Sequence, residues 1–154
     1  MADSLDVIRV ILAGLMAGGL LIVELGLVRT IRGLAQATAI RLHVAFDHYV
    51  EWSMPPLTIA TFLVGVAGLI VNGSLSGEAV ALIVAGLVAT AVVAAISQFI
   101  NVPLNARMRK WGHGTVPPEY PGIRRRWDRA HRARTIAGQI ALVCFAAALV
   151  STRI

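Results

Sequence analysis

Four long apolar runs separate this chain into alternating greasy and polar stretches, at residues 10–28, 54–71, 79–100 and 135–151. Each is close to the ~20 residues that carry a helix across a bilayer core of ~30 Å. Lipid offers the backbone no hydrogen-bond partner, so the runs are predicted as helices. The last three contain no charged residue and the first contains only Glu24. The connections differ: Asn72-Gly73-Ser74-Leu75-Ser76-Gly77 is a tight turn between helices, whereas the other two connections are long and charged.

Between Arg29 and Trp52 the pattern is helical and amphipathic, with no Gly or Pro from Leu34 until Pro55-Pro56. Helix 2 is therefore expected to begin well before the membrane, with a kink or break at Met54, because the double proline removes two donors and disfavours helical geometry before it. The segment HGTVPPEYPG at 113–122 reads as loop, and 123–135 as a basic helical lead-in to helix 4. The predicted fold class is all-α: an integral membrane four-helix bundle, one domain over 1–154, with amphipathic cytoplasmic extensions of helices 2 and 4. Gly14 and Gly18 give helix 1 a GxxxG spacing that favours close packing, of which assembly into a homo-oligomer is one use.

Composition agrees. The chain is 57% hydrophobic and 14% charged, against roughly 25% charged in a soluble domain, and its mean hydropathy is +0.76. The net charge of +6 is concentrated. Arg29, Arg32 and Arg41 lie in the first connection; Arg107, Arg109, Lys110, Arg124, Arg125, Arg126, Arg129, Arg132 and Arg134 lie in the third; only Arg9 and Arg153 stand opposite. This bias predicts a multi-pass protein of the cell membrane with both charged connections cytoplasmic and both termini outside. The basic excess then reports topology and contact with anionic membrane lipids rather than nucleic-acid binding. The N-terminus lacks the positive region of a signal peptide, so helix 1 is read as uncleaved. Cys144 is alone, which excludes an internal disulfide, and reads as a packing residue.

Candidate chemistry gathers at the charged ends. His43, Asp47 and Glu51 fall at i, i+4 and i+8, on one helical face. An imidazole with carboxylates at this spacing suits a divalent metal, or Asp47 orients His43 as an acid or base; a solvated face is the plain alternative. Trp127, His131, Arg134, Thr135 and Gly138 share a face of helix 4, suited either to polarising a substrate oxygen or to anchoring at the interface. Ser97, Gln98, Asn101 and Asn105, around Pro103, converge as a polar cavity or as helix-to-helix hydrogen bonds. Glu24, an ionisable group inside a span, is expected to face the bundle interior. Together Glu24, His43, Asp47, Asn105, His131 and Arg134 are expected to line one cavity at the cytoplasmic mouth.

The strings MPPL (54–57), NVPLNARM (101–108) and WDRAHRART (127–135), in this order across four spans, resemble the membrane family that contains the anthrone oxygenases. The resemblance covers nearly the whole chain. It implies oxygenation of a lipophilic phenolic substrate by dioxygen, with functional positions at Asn105, Trp127, His131, Arg134 and Thr135. In the implied chemistry His131, assisted by His43 and Asp47, removes a proton, and Arg134 and Asn105 stabilise the enolate oxygen. The anion then reduces dioxygen directly, or His43, Asp47, Glu51 and His131 hold copper or iron that activates it. The resemblance is weakest in helix 1, so a role for Glu24 rests on physics alone. Two other classes stay open: a small proton-coupled transporter built on Glu24, and a non-catalytic membrane subunit docking a partner through its basic face. Glu24 near one end of its span, and the long basic connections, suit transport poorly.

Overall fold

A computed structural model describes residues 2–50, 52–73, 75–112 and 115–151, with side chains from Ser4 onward. Helix α1 (Ala2–Ile22) continues through a π-helical turn (Val23–Val28) into α2 (Arg29–Arg32). Then come α3 (Gln36–Val50) and α4 (Met54–Val71). Helix α5 (Gly77–Ile96) runs through a second π turn (Ser97–Asn101) into α6 (Val102–Arg109), and α7 (Tyr120–Ser151) completes the order. No strand occurs among the described residues. Four helical stretches are long and apolar enough to cross a membrane: Ser4–Arg32, Met54–Val71, Gly77–Arg109 and Tyr120–Ser151. The protein is an all-α, multi-pass membrane bundle. The expected break before helix 2 is present, as a turn at Trp52 and Ser53 between α3 and α4. Pro55 and Pro56 then occupy the first turn of α4, where their missing donors would have no helical partner.

Helix α1 packs on α4 and α7, and α5 packs on α7 and α4. The main core joins Ala13, Met16 and Leu20 of α1, Ile83, Leu87 and Val93 of α5, and Ala141, Phe145 and Ala148 of α7. Lipid is as apolar as these side chains, so fit rather than water exclusion holds such helices together. The fit is tight at Gly86, where an added Cβ would stand 2.5 Å from the Phe145 ring. Thr58, Thr61 and Thr90 would be bare hydroxyls in this core, and each instead donates to a carbonyl four residues back, Met54 O, Leu57 O and Gly86 O.

Helix 1 begins earlier than its apolar run, at Ala2, and this changes the reading of Arg9. Counted by sequence as a flanking cation, Arg9 is fully buried. Its Nη2 lies 2.9 Å from Asp6 Oδ1, its guanidinium sits over the Phe145 ring, and its Nη1 occupies the notch left by Gly68, 2.9 Å from where a Cβ would be. Helix pitch puts Asp6 and Arg9 one turn apart on one face, so the pair is carried into the bundle as a unit.

At the opposite, basic end a second apolar cluster closes the bundle. Val28 and Ile31 meet Ala39 and Ile40 of α3, Leu104 and Met108 of α6, and Tyr120 and Trp127 of α7. Most of the arginines there, including Arg125, Arg126 and Arg129, are exposed.

Candidate functional site

The π turn at Ser97–Asn101 precedes Pro103, which has no N–H to donate to Phe99. The helix widens locally, and the Val102 N–H reaches back five residues to Ser97 O. This keeps Ser97, Asn101 and Asn105 on the inner side of one continuous α5–α6 rod. Opposite them, α3 presents His43 and Asp47, and α7 presents Arg124, Trp127, His131 and Arg134 at helical spacings of three and four.

Asn105 is the hub. Its Oδ1 accepts from Trp127 Nε1 at 2.6 Å and from His43 Nε2 at 3.2 Å, and its Nδ2 donates to Asp47 Oδ1 at 2.5 Å. Arg109 Nη1 bonds the other Asp47 oxygen at 2.9 Å. Arg124 Nη1 lies 3.0 Å from His43 Nδ1. An arginine only donates, so Nδ1 of His43 is the acceptor and its proton resides on Nε2. Trp127 also only donates, which fixes the Asn105 amide the same way round. The result is a directional chain, Arg124 to His43 to Asn105 to Asp47, whose members polarise one another toward the carboxylate.

A second, shorter chain enters from α7. Arg134 Nε and Nη2 lie 3.1 and 2.9 Å from His131 Nδ1, and Nη1 donates to Ser97 Oγ at 3.1 Å. By the same logic His131 accepts at Nδ1 and carries its proton on Nε2, which faces Thr135 Oγ1 at 3.4 Å and Glu24 Oε2 at 3.9 Å. Glu24 also bonds Arg132 Nε at 3.3 Å. Trp127 joins the two chains: its indole is stacked on His131, meets His43 edge-on, and has Arg124 over its face at 4.7 Å.

Both chains end on a cavity of about 320 Å³. Asp47, the Asn105 and Arg109 bonded to it, and Arg134 give it a polar end; Ser97, Gln98 and Asn101 of the π turn line its flank, and Met54, Pro55, Ile59 and Val102 supply apolar lining. Of the six residues expected to share one cavity, Asp47, Asn105 and Arg134 line it. His43 stands behind them, bordering a narrow space of about 20 Å³ shared with Asp47, Trp127 and Arg134. His131 is fully buried behind Arg134, and Glu24 lies behind His131. The four polar residues expected to converge around Pro103 do so. The charge bias accounts for Arg124 only as a topology charge, yet it is buried and bonded to His43. The spacing 124, 127, 131 on one helix face contains that signal.

Glu51 and His113 lie outside the described residues. Among the described residues no three His, Cys, Asp or Glu side chains come together as a metal-ligand set. Both ring nitrogens of His43 face Asn105 and Arg124, and Nδ1 of His131 faces Arg134. The described donors thus do not fit a resident copper or iron ion.

Burial, reinforced by the neighbouring Arg124, pushes the His43 pKa from 6.5 down to about 3. An unfolded chain takes up this proton below about pH 6.5, while the folded protein resists until about pH 3. The contribution of neutral His43 to stability is therefore complete above about pH 6.5 and declines as the pH falls toward 3. Thermal unfolding in lipid nanodiscs should show wild type losing more stability than His43→Gln between pH 7 and pH 4, because glutamine does not titrate.

A search of curated proteins and a search of solved structures each return no match. A family model described as anthrone oxygenase matches residues 42–144, which hold α3 from its middle onward, all of α4 to α6 and most of α7. That interval contains every residue lining the cavity. By this match, over two thirds of its length, the chain belongs to the anthrone oxygenase family.

Proposed function

We propose that the protein is a membrane-embedded oxygenase that converts the acidic methylene of a lipophilic, phenolic anthrone-type substrate to a carbonyl, at the polar end of the cavity. The observation that carries this reading is the meeting of Asp47, as proton acceptor, with Arg134 and Asn105 in one substrate-sized cavity. The volume falls at the lower end of the roughly 300–1,000 Å³ range of small-molecule pockets. Asp47 takes the C–H proton, or that of the tautomeric phenol. The resulting enolate oxygen sits against Arg134, whose five N–H groups exceed the three used by His131 and Ser97. Donors held in place before charge develops are the most effective kind of stabilisation in a water-poor site. The carbanion form adds dioxygen to give a peroxide; the second hydrogen leaves as a proton, the O–O bond breaks, and the products are a carbonyl and water. Atoms and electrons balance with no further reductant.

His131 and Glu24 act as positioning residues in this scheme. Nδ1 of His131 orients Arg134, and the proximity of Glu24 to Nε2 favours the tautomer that leaves Nδ1 free to accept. The pairing of Glu24 with Arg132 supports this role over proton-coupled transport. The charge bias supports a cytoplasmic basic end, with the exposed arginines of α7 meeting anionic headgroups.

Purified protein in nanodiscs should consume one dioxygen for each anthraquinone formed from an anthrone, with no added reductant. Absence of substrate-dependent oxygen uptake, together with proton-driven dye efflux from vesicles, would replace this reading by transport.

A further inference from the structure

The cavity is polar where Asp47, Asn105 and Arg109 meet and mostly apolar along α4, and these two parts are not equally open. At the polar end, Asp47 ties α3 to α6 through Asn105 and Arg109. Beyond that tie, Ile40, Leu104, Met108 and Trp127 fill the space between α3, α6 and α7. The way in from the aqueous side is thus narrowed by packed side chains and a salt bridge, with the Arg109 side chain, 36% exposed, at its rim. Among the described residues the apolar end has no such cover. Ile59 of α4 is 59% exposed and Val102 of α6 is 37% exposed, and both line the cavity. On membrane-spanning segments, exposed apolar side chains face lipid. Helices α4 and α5 are joined by a short turn and close on each other partway along, where Leu87 fills the notch at Gly65. Toward Pro55 and Asn101 the same two helices stand on opposite walls of the cavity.

We infer that the cavity is loaded sideways from the bilayer, through the gap between α4 and the α5–α6 rod, by lipophiles with one acidic or oxygen-bearing edge. The apolar ring body remains between Ile59, Met54 and Val102 while the polar edge advances to Asn105, Asp47 and Arg134. This rests on the oxygenase reading for the identity of the substrate but not for the route. It also accounts for how a substrate that partitions into lipid reaches a site whose polar groups lie at the basic end of the bundle: it need not cross the headgroup region first.

The test uses 2-naphthol, which emits as the neutral phenol in lipid and as the longer-wavelength phenolate beside a proton acceptor. In a Cys144→Ala background, Ile59→Cys is coupled to a bulky methanethiosulfonate, and the protein-dependent rise of phenolate emission is followed by stopped flow in nanodiscs. The label should slow loading by about tenfold, within the one to three decades over which association rates vary among variants, and reductant should restore it. Met108→Ala, which thins the packing on the aqueous side without altering the cavity lining, should change the rate less than about twofold. A rate insensitive to the Ile59 label, acceleration by Met108→Ala, or no protein-dependent emission in wild type would each overturn the proposal. Oxygen uptake plays no part in the readout, so a failed route leaves the oxygenase reading standing, and failed turnover leaves the route standing.

Discussion

Asp47→Asn should lower the turnover of anthrone-dependent oxygen uptake by about two to four orders of magnitude, the usual weight of a positioned general base, while changing the thermal unfolding midpoint little. The two effects separate because of how Asp47 is held. The Asn105 amide cannot flip, since both His43 and Trp127 donate to its oxygen. A new Asn at position 47 therefore turns its own carbonyl toward Asn105 Nδ2 and keeps that bond, leaving its NH2 group toward Arg109. The lost salt bridge joins an arginine side chain that is 36% exposed to a carboxylate that is 11% exposed. Water solvates the freed guanidinium from its exposed side, so the loss is expected nearer the ~1 kcal/mol of an exposed pair than the ~3–5 kcal/mol of a fully buried one. What disappears is the ability to accept a proton. Activity within threefold of wild type, in a protein of unchanged stability, would move the base away from Asp47. His43 Nδ1 could not readily replace it, because Arg124 already occupies that nitrogen.

Much of this arrangement was legible in the sequence, and the unread part has a common cause. The spans follow from apolar run length. The break before α4 follows from Pro55-Pro56, and the polar end of α5 from the periodicity of Ser97, Gln98, Asn101 and Asn105. These are local properties of one helix. Helical spacing also put His43 and Asp47 on one face, and they do meet one partner, though the partner is Asn105 rather than each other. The rotation of each helix against its neighbours was not legible. It decides that Asp47 faces the cavity while His131 is buried behind Arg134, and that Arg109 reaches a carboxylate 62 residues away. Arg124 was hidden among arginines that look alike in composition; only the residue opposite, His43, distinguishes it. Arg9 was hidden by the opposite problem, since an arginine next to an apolar run reads as a flank unless Asp6 and Gly68 are seen beside it. The two π turns, which set Glu24 and Ser97, leave no clear sequence signature beyond Pro103 after the second.

The same logic gives the largest expected loss of stability at Asn105. In Asn105→Ala the Trp127 N–H and the His43 Nε2–H lose their acceptor, and Asp47 Oδ1 loses a donor. A buried polar group stripped of its partner costs about 1–3 kcal/mol. Trp127 and His43 are both buried, whereas Asp47 borders the cavity and is partly rehydrated. The expected destabilisation is therefore about 2–6 kcal/mol, from two such groups, read as a lower unfolding midpoint in nanodiscs. Asn105→Asp separates lost bonds from lost charge balance. It keeps an acceptor for Trp127 and His43 but sets a second carboxyl against Asp47, and two carboxyls this close share one proton. While that proton is present, Asp at 105 donates to Asp47 as the amide did; once it leaves, like charges face each other. Asn105→Asp should accordingly retain stability in mildly acid buffer and lose it as the pH rises, opposite to the trend expected from His43. A variant equally stable across that range would mean that Asn105 does not couple α3 to α6 through Asp47.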